Sequence, residues 1–107
     1  MLVKTTARHF DLTPELKDHV EERLSRLQKY GYPLFEAHVI LSVEKYRHIA
    51  EITLRGDGLD VAGRDESADM YTAIDQVVEK LEAQVRRHKD KLITKKGASA
   101  GKRTLEP

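Results

Sequence analysis

The sequence predicts a two-layer α+β domain of order β-α-β-β-β-α, a four-stranded sheet carrying both helices on one face. Three observations predict it. An apolar alternation of period two runs over residues 35–43 and returns over 50–54. Two amphipathic stripes with spacings of three and four flank those strands. The length of 107 residues fits one core and leaves no room for a second full domain. One apolar sheet face and two amphipathic helices are satisfied together when both helices cover that face.

Residues 2–8 are rich in β-formers and predict a first strand. Thr13-Pro14-Glu15 then supplies an N-cap hydroxyl, a proline at the first helical position and an acid in the first turn. Leu16, Val20, Leu24 and Leu27 form one narrow stripe, and Gly31 with Pro33 stops it, which predicts a helix over roughly 14–30. In the second strand the odd positions from Phe35 to Val43 are apolar, and Ala50, Ile52 and Leu54 repeat the pattern. The short link around Tyr46-Arg47 predicts a hairpin that would set His38 across from Arg55. Gly56-Asp57-Gly58 is the strongest turn signal, and Leu59 to Arg64 reads as a fourth, shorter strand. Met70, Ile74, Val77, Val78, Leu81, Val85 and Leu92 fall on one side of a second helix, which starts around Ser67 to Asp69 and runs to about Ile93. The domain therefore spans 1–93, and the small, basic residues 94–107 read as a flexible tail.

Hydrophobic residues are 39% and charged residues 35%, with two Phe, four Tyr and no Trp, so the core must be aliphatic. No run of about 18 apolar residues and no basic start followed by an apolar signal region is present, which makes the cytosol the expected compartment. The absence of cysteine excludes disulfides, thiolate zinc sites, iron–sulfur clusters and cysteine nucleophiles.

The five histidines (His9, His19, His38, His48, His88) contain no i, i+4 pair, so they predict surface or hydrogen-bonding roles and no metal site. Glu21/Glu22 and Asp65/Glu66 are sequence neighbours that point different ways, which reads as solvated charge and not an acid–base dyad. Neither Gly56-Asp57-Gly58 nor Gly63 leads to a Lys-Ser/Thr at a helix start, so no phosphate-binding loop is formed. Arg55-Gly56-Asp57 spells an adhesion tripeptide, but a tight hairpin accounts for it. With no nucleophile beside a matched base, neither an enzyme nor a cofactor is expected.

Net charge is only +1, yet it is polarised: Lys80 to Arg103 holds nine basic residues against Glu82 and Asp90. On the second helix, with Met70 at zero, the apolar stripe centres near about 40°, and Lys80, Arg87 and Lys91 fall within roughly 260–300°. Asp75, Glu79, Glu82 and Asp90 fall on the far side with Arg86. Segregation of this kind predicts a polyanion as its cause. The first helix repeats it more weakly through His19, Arg23 and Arg26, interrupted by Glu22. Rows of this kind suit phosphate contacts, and with few aromatics the target is structured RNA rather than extended single strands.

Asp69-Met70-Tyr71-Thr72-Ala73-Ile74-Asp75, then Lys80-Leu81, Gln84 and His88-Lys89-Asp90-Lys91-Leu92, closely resembles the second helix of the ribosome hibernation promoting factor family, also called ribosome-associated inhibitor or σ-54 modulation proteins. Ser42-Val43-Glu44-Lys45 with His48, and Thr13 through Leu16, match the same family, so the resemblance covers about residues 1–93. It implies the same β-α-β-β-β-α fold and a non-enzymatic stress factor that holds the ribosome idle. Such a factor would occupy the decoding region of the small subunit, contact 16S-type rRNA, and overlap the messenger and tRNA positions. Position by position, the implied contacts are Lys80, Arg86, Arg87, Lys89 and Lys91 on the second helix and Arg23 and Arg26 on the first, with Lys95, Lys96, Lys102 and Arg103 of the tail in addition. Two departures stand out: Ala83 sits where relatives often carry arginine, and Glu22 puts an acid among the first helix's bases. Without the further domain of the long members, the chain resembles the short forms, some of which act with a separate modulation factor, and a monomer is expected. Two alternatives stay open. A free-standing double-stranded-RNA-binding module is similar in its α-β-β-β-α order, but it would carry its lysines at the start of the last helix. A protein-interaction regulator with an acidic partner would fit the family's older label.

Overall fold

A computed structural model describes residues 1–30 and 33–98. The periodicities become β1 (Leu2–Arg8), α1 (Pro14–Ser25), a 3₁₀ helix (Arg26–Tyr30), β2 (Leu34–Glu44), β3 (Arg47–Gly56), β4 (Leu59–Ser67) and α2 (Met70–Ala98), which is the predicted α+β order.

The sheet order is β1-β2-β3-β4, with β1 parallel to β2 and the other pairs antiparallel. Register decides which side is wet. Val39 lies opposite Thr5 and Ile52, Leu41 opposite Ala7 and Ala50, and Ile52 opposite Gly63, so Ala37, Val39, Leu41, Ala50, Ile52 and Leu54 share one fully buried face. Leu16, Val20, Leu24 and Leu27 pack on that face beside Met70, Ile74, Val77, Leu81 and Val85, and all belong to one core. Each such side chain stabilises the fold by about 1.5–3 kcal/mol through burial, so the two helical stripes are what hold the helices down.

Helix direction follows from connectivity. Each helix leads back from the far end of a strand, α1 from β1 and α2 from β4, and those two strands point the same way. The helices are therefore parallel to each other. The C-terminal half of α1 lies beside the N-terminal half of α2, where Arg23 meets Asp75.

Several boundaries differ from expectation. The first helix is α-helical only to Ser25, whose hydroxyl donates to the Glu22 carbonyl at 2.7 Å, and then tightens into the 3₁₀ turn. Leu27 still reaches the core at 1% exposure, so the stripe survives the change of winding. The β2–β3 turn is Lys45-Tyr46, one residue earlier than expected, with Lys45 at φ 55°. His38 consequently faces Thr53, and Glu36 is the residue opposite Arg55. β4 continues past Arg64 to Ser67 because β3 still offers it partners as far as His48. α2 runs to Ala98, beyond Ile93, through Lys95-Lys96, which favour helix and put no breaker before Gly97. No helix among the described residues is long and apolar enough to cross a membrane.

Candidate nucleic-acid interface

The rotation of α2 is set at its start. Asp69 caps it, accepting from the Thr72 amide at 2.9 Å and the Thr72 hydroxyl at 3.0 Å. From that phase Met70, Ala73, Ile74, Val77, Val78, Leu81 and Val85 turn into the core. The two charged rows then emerge on opposite flanks, one toward β4 and one toward α1.

On the β4 flank, Lys80 Nζ lies 2.9 Å from Asp65 Oδ2. The lysine's hydrogen bond holds the Asp65 carboxyl below the usual carboxylate range, against the opposing effect of burial. Asp65 is thus an ion-pair partner on the helix side of the sheet, at 24% side-chain exposure, and not the solvated charge expected for it. Its neighbour Glu66 points to the other face, toward Arg47 and Arg64 at 3.3 Å each.

On the α1 flank the acidic row of α2 meets the basic row of α1. Asp75 Oδ1 accepts from Arg23 Nε at 2.9 Å and lies 2.7 Å from His19 Nε2, and the His19 ring stands edge-on to Tyr71 with centroids 4.9 Å apart. Arg26, at the start of the 3₁₀ helix, pairs with Glu22 of α1 at 3.0 Å in i, i+4 spacing. A groove of about 200 Å³ between the helices is lined by Arg23, Arg26, Asp75, Glu79 and Glu82 over Leu27 and Val78. The segregation of charge on α2 therefore has a cause inside the fold, since the acids face the arginines of α1. The fold thus supplies a cause for the acidic row beside the polyanion expected for the basic one.

The predicted residues fall into two groups. Arg23 and Arg26 stand on one side of α2, and Lys80 and Arg87 on the other, so they do not form one continuous row. Arg86 and Lys89 lie farther along α2, and each interacts with a further group. Arg87 is exposed and makes no ion pair among the described residues. Lys91, Lys95 and Lys96 continue α2, but their side chains lie outside the described residues, as do Lys102 and Arg103 altogether. Along α2, Arg23 and Arg26 lie level with Asp75 to Glu82, and Arg86, Arg87 and Lys89 follow beyond them toward its C-terminus.

Three features escaped the sequence reading. Tyr46 projects from the hairpin tip at 89% exposure, flanked by Lys45 and Arg47. Asp65 neutralises Lys80, and Gln84 brings its amide beside Arg87 without a side-chain hydrogen bond among the described residues. The alternation of β4 could have put Asp65 on the helix side, since it is in phase with Val61. His19 meets Asp75 and Tyr71, and His38 meets Glu36 at 2.8 Å. Among the described residues no three His, Asp or Glu side chains converge as a metal site.

The family described as "Sigma 54 modulation protein / S30EA ribosomal protein" matches residues 3–93. The chain is 39% identical over 93 residues to a ribosome hibernation promoting factor of Azotobacter vinelandii, covering 87% of each chain. Among solved structures it is similar to the N-terminal domain of Protein Y from Thermus thermophilus, with TM-score 0.78, 38% identity, and coverage of 82% of this chain and 99% of that one. A ribosomal subunit interface protein from Coxiella burnetii gives TM-score 0.78 at 28% identity, covering 84% of this chain and 99% of that one.

Proposed function

The chain belongs to the Sigma 54 modulation protein / S30EA ribosomal protein family, and on that premise we propose that it is a cytoplasmic factor that silences the small ribosomal subunit under stress. The role is non-enzymatic. In this reading the domain sits in the decoding region, lies against the rRNA backbone, and blocks messenger and tRNA. Arg23, Arg26, Lys80, Arg86, Arg87, Lys89 and Lys91 are the contacts. Residues 94–107 add charge through Lys95, Lys96, Lys102 and Arg103, and the chain acts as a monomer.

One observation carries the reading. Parallel packing sets Arg23 and Arg26 beside α2 at the level of Asp75 to Glu82, and α2 carries its own bases onward from Lys80 through Arg87 toward its C-terminus. In this reading the two sets of bases contact separate stretches of the phosphate backbone. Lys80 is the weakest member, because Asp65 already holds its charge.

Sedimentation of the purified protein with small subunits across a salt series tests this. Binding should fall linearly in log affinity against log salt, and messenger with initiator tRNA should displace the protein. If the chain stays in the supernatant, or co-sediments with no dependence on salt or on tRNA, the reading is wrong and a regulator with an acidic protein partner takes its place.

A further inference from the structure

Between β4 and α2, on the flank away from α1, lies a recess of about 210 Å³. Leu59 and Val61 floor it, and Gln84, Arg87 and His88, one helical turn of α2, form its rim. The chemistry is unusual for a surface that only contacts a backbone. Leu59 is almost fully buried, and Val61 and Gln84 are half-buried. The Gln84 amide makes no side-chain hydrogen bond among the described residues, and Arg87 makes no ion pair there. The Gln84 amide is open to solvent, so a ligand edge can replace its water and pair with it.

We infer that this recess receives one unstacked nucleobase of the bound RNA, with the base face on Leu59 and Val61, the base edge on the Gln84 amide, and the adjoining phosphate on Arg87. The inference rests on the rRNA-binding reading and deepens it. A base with its phosphate uses the floor, the Gln84 amide and the Arg87 guanidinium together, while His88 already engages another group. Its flat face suits a small apolar floor, and its edge offers the donor and acceptor that an amide complements. The linked phosphate lies within reach of the one rim guanidinium. An apolar side chain from a protein would fill the floor and leave the amide unpaired, and an acidic peptide would engage Arg87 and leave the floor wet. RNA bound in this way is read at an unpaired position as well as along its backbone.

The test uses the full chain, purified small subunits, and the variants Gln84→Ala and Arg87→Ala, in which alanine favours helix and the thermal midpoint of each variant is checked first. Binding is measured over a salt series, with base-specific chemical probing and hydroxyl-radical footprinting of the rRNA. The wild type should protect the edge of one unpaired base inside its backbone footprint. Gln84→Ala should keep that footprint, restore the reactivity of that one base, and weaken binding by about three- to tenfold with an unchanged salt slope. Arg87→Ala should make the slope shallower by roughly 0.7–0.9. Should Gln84→Ala leave base reactivity and affinity as in the wild type, the recess holds no base and the inference falls while rRNA binding stands. Should Gln84→Ala weaken binding with no change at any rRNA base, the occupant is protein and the inference is overturned. A wild type with no rRNA footprint at all overturns the underlying reading instead.

Discussion

Asp75→Ala tests the junction between the helices, where one carboxylate oxygen serves two partners from α1. The Asp75 side chain is 39% exposed, Arg23 27% and His19 18%, so the cluster is neither fully solvated nor dry. Exposed ion pairs contribute about 0–1 kcal/mol, and hydrogen bonds to charged groups in buried settings about 1.5–3. Intermediate burial places the Asp75→Ala cost at about 1–2 kcal/mol. For a domain of this size that lowers Tm by roughly 4–16 °C. Urea and thermal denaturation measure it, and a cycle with Arg23→Ala isolates the pair, with a coupling of about 0.5–1.5 kcal/mol expected. Ribosome binding at low salt should hold or improve, since Arg23 is released and an acid is removed from the RNA-facing surface. If Tm moves by less than about 1 °C and the cycle shows no coupling, the carboxylate does not tie the helices in solution, and the internal cause given for charge segregation on α2 is wrong.

The remaining predictions concern the β4 flank and the C-terminal end. Lys80→Glu sets a second carboxylate against Asp65 and should lower the urea midpoint, whereas Arg87→Glu, lacking an ion-pair partner among the described residues, should leave it unchanged. Asp65 has a depressed folded pKa, so its contribution is present above the unfolded value of about 3.9 and is lost as pH falls through the folded value. Asp65→Asn should therefore be less stable than the parent near pH 7, and the gap should close below about pH 4 in midpoints measured across pH. Deleting 99–107 removes Lys102, Arg103 and Glu106. That truncation should leave Tm in place and weaken ribosome binding most at low salt, and a large fall in Tm would show that these residues pack on the domain.

Strict burial made the fold legible. Ala37, Val39 and Leu41 recur at every second position because one side of β2 is dry, whereas Phe35, expected in the same phase, is 58% exposed because the register shifts between Leu34 and Glu36 and buries Leu34 instead. Turn placement was harder to read, since Lys45-Tyr46 carries none of the residues that advertise a positive φ. The end of α1 was blurred for a similar reason, as a 3₁₀ turn keeps Leu27 on the same stripe as an α-helix would. At the candidate site, angles around α2 separated the acidic from the basic row. They could not tell which flank receives α1, because that depends on the packing of Leu24 and Leu27 beside Val78, several strands away in sequence. The same limit hid the Lys80–Asp65 pair, which joins residues on different elements.

Sheet order also dictates how the domain comes together. β2, β3 and β4 are joined by two-residue turns, so their pairing closes short loops at little entropic cost. β1 meets only β2, and its pairing must close the whole stretch from Arg8 to Leu34. The meander with α2 can thus assemble as a unit, and the N-terminal strand joins late. The same asymmetry operates in reverse in the native state. The amides of β1, an edge strand, should exchange with solvent sooner than those of β3, which is bonded on both sides, and hydrogen exchange measures this.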